Sequence, residues 1–226
     1  MTLRFDTSGG ITGAPIAVSH YRPGRYRNGI KRTVDVLMVL LLLPVVLPLM
    51  GLIALALWIE DGNPFYAQDR LGRHGQRFRF WKFRTMVQNA DTKLAQLLER
   101  DPALKAEWAR SQKLRNDPRI TRLGAVLRGS SMDELPQLFN VLRGDMSLVG
   151  PRPMMPEQLA LYGPYAASYF ALRPGLTGLW QVSERNDADF ARRAELDAQY
   201  ERMISFTHDS FLLLATLSVV WRGTGY

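Results

Sequence analysis

The chain has 226 residues, room for one membrane element and one compact domain, and 29 Lys and Arg against 21 Asp and Glu give it a net charge of +8. The absence of cysteine excludes disulfides, thiolate catalysis and cysteine-based metal sites. The histidines His20, His74 and His208 lack metal-ligand spacing, and the basic surplus favours an anionic partner such as nucleic acid, anionic lipid or a phosphorylated substrate.

Residues 1–28 are rich in Gly, Thr, Pro and Arg without periodicity and read as a flexible basic tail. Val36 to Ile59 is free of charge and long enough for a bilayer-embedded helix. It begins too late and runs too long for a cleaved signal peptide. Pro44 and Pro48 fall near its middle, where each removes a backbone hydrogen bond and bends a helix. Basic residues flank it on both sides, from Arg22 to Arg32 and from Arg70 to Arg84. Positive flanks prefer one side of a membrane, so a re-entrant helix over 29–60 fits both observations; a kinked span is the competing arrangement. Asp35, at the segment's edge, is expected to pair with Lys31 or Arg32.

Glu60 to Pro64 is a turn cluster, and Arg77 to Arg84 alternates basic and aromatic residues, the period of a strand with one basic face. Residues 88–115 read as two helices with charged outer faces, the second begun by Asp101 as N-cap and Pro102 at its first position. In the following stretch Leu135, Leu138, Phe139 and Leu142 recur with helical spacing. Pro136 must then lie in the first turn, which puts Asp133 at or near the N-cap and Glu134 just inside; a Ser131–Glu134 capping box is the alternative. Acidic residues at a helix start commonly do no more than stabilise it. Such a position also suits an ionised Asp133 for attack on phosphorus, with Glu134 as base or metal ligand. Arg152 between Pro151 and Pro153, and Arg173 before Pro174, are rigidly presented guanidiniums of the kind that bind phosphate. Phe211 to Trp221 is apolar but too short to span, and no P-loop or dinucleotide fingerprint occurs. The fold class expected is mainly α with a few short strands.

Several runs in order resemble the bacterial sugar transferase family, the monotopic polyprenyl-phosphate phosphoglycosyl transferases. They are Lys31-Arg32-Thr33-Val34-Asp35, Trp81 to Met86, Asp117-Pro118-Arg119, Ser131 to Leu138, Gly150 to Pro153 and Arg173 to Gly178, with Asp197, Tyr200, Ser205 and Asp209 closing the pattern. The resemblance implies a re-entrant membrane helix and a small catalytic domain over 61–226, carrying surface amphipathic helices, on the cytoplasmic face of the bacterial inner membrane. It implies that Asp133 takes the sugar phosphate from a UDP-sugar, releasing UMP, and that undecaprenyl phosphate then accepts it. Glu134 would assist, Mg²⁺ would be the cofactor with Asp133 as a ligand, and Lys82, Arg84, Arg119, Arg152 and Arg173 would bind phosphates or nucleotide. The implied partners are the two substrates, membrane lipid, a second copy of the chain and downstream glycosyltransferases, with no nucleic acid. Among its members the chain is similar to the short exopolysaccharide-initiating galactose-1-phosphate transferases, which lack an extra N-terminal membrane domain. Two departures stand out: Leu43 replaces the usual serine before Pro44, and Glu184 stands where glycine is usual, which bears on sugar preference. A nucleotide-sugar hydrolase and a non-catalytic basic scaffold are the competing readings.

Overall fold

The computed structural model describes residues 4–5, 11–12, 24–111, 114, 116–183 and 190–221. Most of the basic tail, and Glu184, lie outside these residues; within the tail, β1 (Arg4–Phe5) pairs antiparallel with β2 (Ile11–Thr12). The described chain is mainly helical with a few short strands.

A π-helical turn, Tyr26–Ile30, leads into α1, Lys31–Asp61, so helix begins inside the stretch read as tail. α1 runs without interruption through Pro44 and Pro48 and ends at Gly62, whose left-handed φ of 77° lets its N–H reach Trp58 O. Much of its surface is exposed and apolar, Leu41 at 79% and Ile59 at 72%. Both ends are nevertheless tied to the rest of the molecule. Near the start, Arg32 donates to Val141 O and Leu142 O, and Val39 is buried in the main core. Near the end, Leu57 packs with Phe83 and Leu127, Gln88 donates to Asp61 O, and the Thr121 hydroxyl donates to Glu60.

The expected pairing of Asp35 with Lys31 or Arg32 is replaced by a different arrangement. Asp35 is buried and accepts from the Ser147 hydroxyl and the Leu148 N–H, while Lys31 pairs with Asp209. A buried carboxylate needs donors that stay with it, and a fixed strand edge supplies two.

β3 (Phe65–Leu71) and β4 (Arg77–Phe83) form an antiparallel hairpin in full register, with Tyr66 opposite Lys82. The alternation in β4 places Phe78 and Phe80 in the core and Arg77 and Arg79 outside. α2 (Ala90–Arg100) and α3 (Pro102–Ser111) fall where expected, and Asp101 caps α3 by accepting from the N–H groups of Ala103 and Leu104. α4 (Arg122–Gly129) and α5 (Gln137–Arg143) follow. β5 (Ser147–Val149) pairs in parallel with β6 (Gly175–Thr177), bridged by the short helices α6 (Leu159–Tyr162) and α7 (Ala166–Phe170). α8 (Leu179–Ser183), α9 (Phe190–Met203) and α10 (Phe206–Trp221) complete the fold. Leu138 and Val141 of α5, Val149, Tyr200 and Leu212 form one core with Val39. Gly150 and Gly175 approach so closely that a Cβ on Gly175 would stand 2.1 Å from the Gly150 nitrogen, which fixes both as glycine and sets the loop to Arg152.

Candidate active site

The acidic pair lies one turn earlier than expected. Asp133 and Glu134 sit in a 3₁₀ turn, Met132–Glu134, entered through Ser131 at φ 57°, and α5 proper starts only at Gln137. Successive i→i+3 bonds, Leu135 N–H to Met132 O and Leu138 N–H to Leu135 O, carry the chain through Pro136, which has no N–H to offer. The buried face of α5 is also displaced. Gln137, Leu138, Asn140 and Val141 are inside, whereas Phe139 is exposed beside Phe65, Trp81 and Pro136.

The 3₁₀ turn packs on β4, and Lys82 projects between the two carboxylates. Its Nζ stands 3.2 Å from Asp133 Oδ2 and 2.7 Å from Glu134 Oε1. Arg152, presented by the loop after β5, approaches Glu134 Oε1 at 3.3 Å. Asp133 is buried at 7% exposure, and its other oxygen makes no hydrogen bond among the described residues. The register of Lys82 is held by Asn140, which accepts from the Trp81 N–H at 3.2 Å and donates to Arg79 O at 2.8 Å. These are the unpaired edge groups of β4, since β3 covers only its other side.

More positive charge stands behind this group. Arg70 lies over the Phe80 ring at 5.3 Å and donates to Pro153 O; burial, then Arg152 and Arg193, push its guanidinium down to about 10. Burial also pushes the Arg128 guanidinium down, and the Asp133 carboxylate pulls it back up. Arg193 is enclosed by the rings of Tyr162, Trp180 and Phe190 and donates to Arg152 O, which fixes the Arg152 loop. The site therefore gathers two carboxylates under a surplus of cations, a field matched to a multiply charged phosphate ester.

The structure divides the five expected phosphate-binding cations. Lys82 and Arg152 touch the acidic pair. Arg84 donates to Asn63 O and Phe65 O at the base of the hairpin. Arg119 is buried against Asp117, bonded to both of its oxygens, and lies 5.4 Å from the Trp108 ring. Arg173 donates to Gly144 O at the far end of α5. Sequence reasoning did not single out Arg70, Arg128, Asn140 or Arg193, because basic residues spread through the chain carry no local signal of convergence.

Among the described residues no group of three or more His, Asp or Glu gathers as a metal cage. Mg²⁺ is commonly held by one or two carboxylates together with substrate phosphates, and Asp133 with Glu134 fits that donor set.

Comparison with known proteins bears directly on this site. The profile of the bacterial sugar transferase family matches residues 26–223. The chain belongs to that family. It is 46% identical over 200 residues to an undecaprenyl-phosphate galactose phosphotransferase of Salmonella typhimurium, covering 87% of this chain and 41% of that protein. It is 44% identical over 196 residues to the exopolysaccharide production protein ExoY of Rhizobium meliloti, covering 86% and 87% of the two chains. An N-acetylgalactosamine phosphotransferase acting on undecaprenyl phosphate, from Aeromonas hydrophila, is 34% identical over 203 residues, covering 87% of this chain and 44% of that one. The chain thus spans about two fifths of the length of some curated relatives and most of the length of others.

Proposed function

We propose that this protein transfers a sugar 1-phosphate, galactose in the first instance, from a UDP-sugar to undecaprenyl phosphate through a phosphosugar carried on Asp133. The observation that carries this reading is the Asp133 carboxylate, buried, with one oxygen held by Lys82 and the other uncommitted, under the cations Arg152, Arg70 and Arg128. In the first step the free oxygen of Asp133 attacks the sugar-bearing phosphorus. A P–O(Asp) bond forms, the bond to the bridging oxygen breaks, and its electron pair leaves with UMP. In the second, an oxygen of undecaprenyl phosphate attacks the same phosphorus, the P–O(Asp) bond breaks, and the carboxylate is regenerated as the lipid diphosphate sugar departs. Glu134 takes the proton of a monoprotonated acceptor, and Lys82 and Arg152 hold phosphate oxygens as charge moves across them. Mg²⁺ held by Asp133, with Glu134 beside it, would neutralise diphosphate charge and polarise its oxygens.

α1 acts as a re-entrant helix in the inner membrane, with the catalytic domain at the cytoplasmic face. Support comes from its exposed apolar surface together with the ties of both its ends to the same folded domain. A helix of 31 residues is roughly 46 Å long, more than a hydrocarbon core of about 30 Å, so a straight crossing would part those ends. The test is transfer of label from UDP-galactose, UDP-glucose or UDP-N-acetylgalactosamine to undecaprenyl phosphate in the presence of Mg²⁺, comparing the wild type with Asp133→Asn. Label reaching lipid only with the wild type supports the reading and identifies the sugar; equal transfer by the variant removes Asp133 as nucleophile.

A further inference from the structure

The end of α5 away from Asp133 carries a second concentration of positive charge. A recess there is lined by Arg27, Lys31, Arg32, Arg73 and Arg173, and among the described residues Asp35 is the only carboxylate on its wall. These cations come from three separate places: the start of α1, the turn of the β3–β4 hairpin, and the segment before β6. The intervening α5 spans seven residues, roughly 10 Å at 1.5 Å per residue, so the recess is distinct from the acidic pair.

Two of the cations are balanced from behind, Lys31 by Asp209 and Arg27 by Glu201. Asp35 is committed to Ser147 and Leu148. Five cations against Asp35, Asp209 and Glu201 leave two positive charges in excess. Arg32 and Arg173 direct donors to Val141 O, Leu142 O and Gly144 O, which accounts for them as caps on the C-terminal carbonyls of α5. Capping does not account for Arg73, brought up from another element with no carboxylate in ion-pair range among the described residues. Desolvation, then Arg173 and Arg27, push the Arg73 guanidinium down, and desolvation with Arg73 and Arg173 does the same to the His74 imidazole. An anion between these groups would relieve that repulsion.

Size and position narrow the ligand. The recess has a volume of about 30 Å³, where a single water needs roughly 10–15 Å³. That is room for one tetrahedral oxyanion, with any group attached to it lying outside the recess. α1 leaves the cluster directly into exposed Leu37, Leu40 and Leu41, and Tyr26 packs edge-on to exposed Phe206 at 6.1 Å. A phosphate held there has apolar side chains beside it for acyl chains to cover.

We propose that this recess is a second anion site that binds a phosphate-bearing group, either a phospholipid headgroup or free phosphate, independently of the transfer chemistry. The experiment uses the purified full chain in neutral detergent, offered equal amounts of phosphatidylglycerol and phosphatidylcholine, with retained lipid counted by native mass spectrometry. A parallel arm titrates inorganic phosphate and follows binding by calorimetry. Arg73→Gln, at an exposed turn, lowers retention of phosphatidylglycerol or affinity for phosphate roughly tenfold, the worth of one charge-assisted bond. Arg79→Gln, which removes an exposed cation outside both sites, leaves both unchanged. Loss in the lipid arm alone identifies a headgroup, and loss in the phosphate arm alone identifies a free oxyanion. Failure of the wild type to bind either above the level of Arg73→Gln, or an equal loss of binding in Arg79→Gln, overturns the proposal. Because neither arm measures sugar transfer, its failure leaves the proposed reaction standing.

Discussion

Replacing Asn140 by alanine tests whether Lys82, the partner of Asp133 and Glu134, is held by the free edge of its strand. Asn140 is fully buried at 0% exposure, and its side chain serves three groups: the Trp81 N–H, Arg79 O and an Asp145 oxygen. Truncation strands the two backbone groups of β4, since among the described residues no third strand flanks it there. Each buried group left without a partner costs about 1–3 kcal/mol, and the half-exposed bond to Asp145 adds under about 1 kcal/mol. The sum is roughly 2–7 kcal/mol of stability, severe but short of certain unfolding in a domain of this size. The assay is denaturant unfolding in neutral detergent, with sugar-phosphate transfer measured on the fraction that remains folded. Transfer by that fraction should fall as well, because Lys82 follows Trp81 and depends on the same register. Stability lowered by less than about 0.5 kcal/mol would refute the edge-capping argument. Stability lowered as expected with undiminished transfer would refute the link from Asn140 to Lys82.

Lys82→Met removes a cation that touches both carboxylates, and transfer should drop on the order of 10²-fold or more with no change in the melting curve beyond a few degrees; retained turnover would show Lys82 to be a bystander. Arg119→Ala leaves buried Asp117 without its partner and should cost about 3–5 kcal/mol in unfolding measurements, while transfer per folded molecule stays within about twofold. A selective loss of transfer would instead return Arg119 to substrate binding. Burial pushes the Asp197 carboxyl up to about 6, against Arg193 and the Tyr162 hydroxyl, which pull it down. The folded state therefore holds this proton more tightly than the unfolded state, whose carboxyl titrates near 3.8. The resulting stability is present below that value and lost as pH rises through about 6, an amount of roughly 3 kcal/mol. The stability difference between the wild type and Asp197→Asn should shift by most of that amount in favour of the wild type between pH 7 and pH 4. A flat difference across that interval would contradict the assignment.

Periodicity and punctuation made the helical framework legible. The charge-free run of α1, the Asp101-Pro102 start of α3 and the alternation in β4 each follow from local chemistry, and each element stands where that chemistry puts it. The acidic pair was legible as a pair, but its local geometry was not. Pro136 suggested an ordinary first turn, whereas Ser131 in the left-handed region and a 3₁₀ turn delay α5 to Gln137. Ser131 carries no sign in the sequence of a left-handed backbone, and the turn it opens packs on β4, far away in the chain. The partition of the arginines was hidden for a similar reason. Arg152 and Arg173 both stand beside proline, yet one reaches Glu134 and the other Gly144, at opposite ends of α5. Asp35 shows the same limit: its neighbours in sequence are cations, and its partners come from β5.

The central claim is a phosphosugar carried on Asp133, and trapping it is the most direct test. The purified protein, given UDP-galactose and Mg²⁺ without undecaprenyl phosphate, is quenched and its intact mass measured, followed by peptide mapping. A mass increase of one hexose phosphate is expected on the peptide bearing Asp133, lost when undecaprenyl phosphate is added and absent from Asp133→Asn. Lipid-linked product formed at full rate with no mass increase under any quench, or the increase found on another residue, would contradict it.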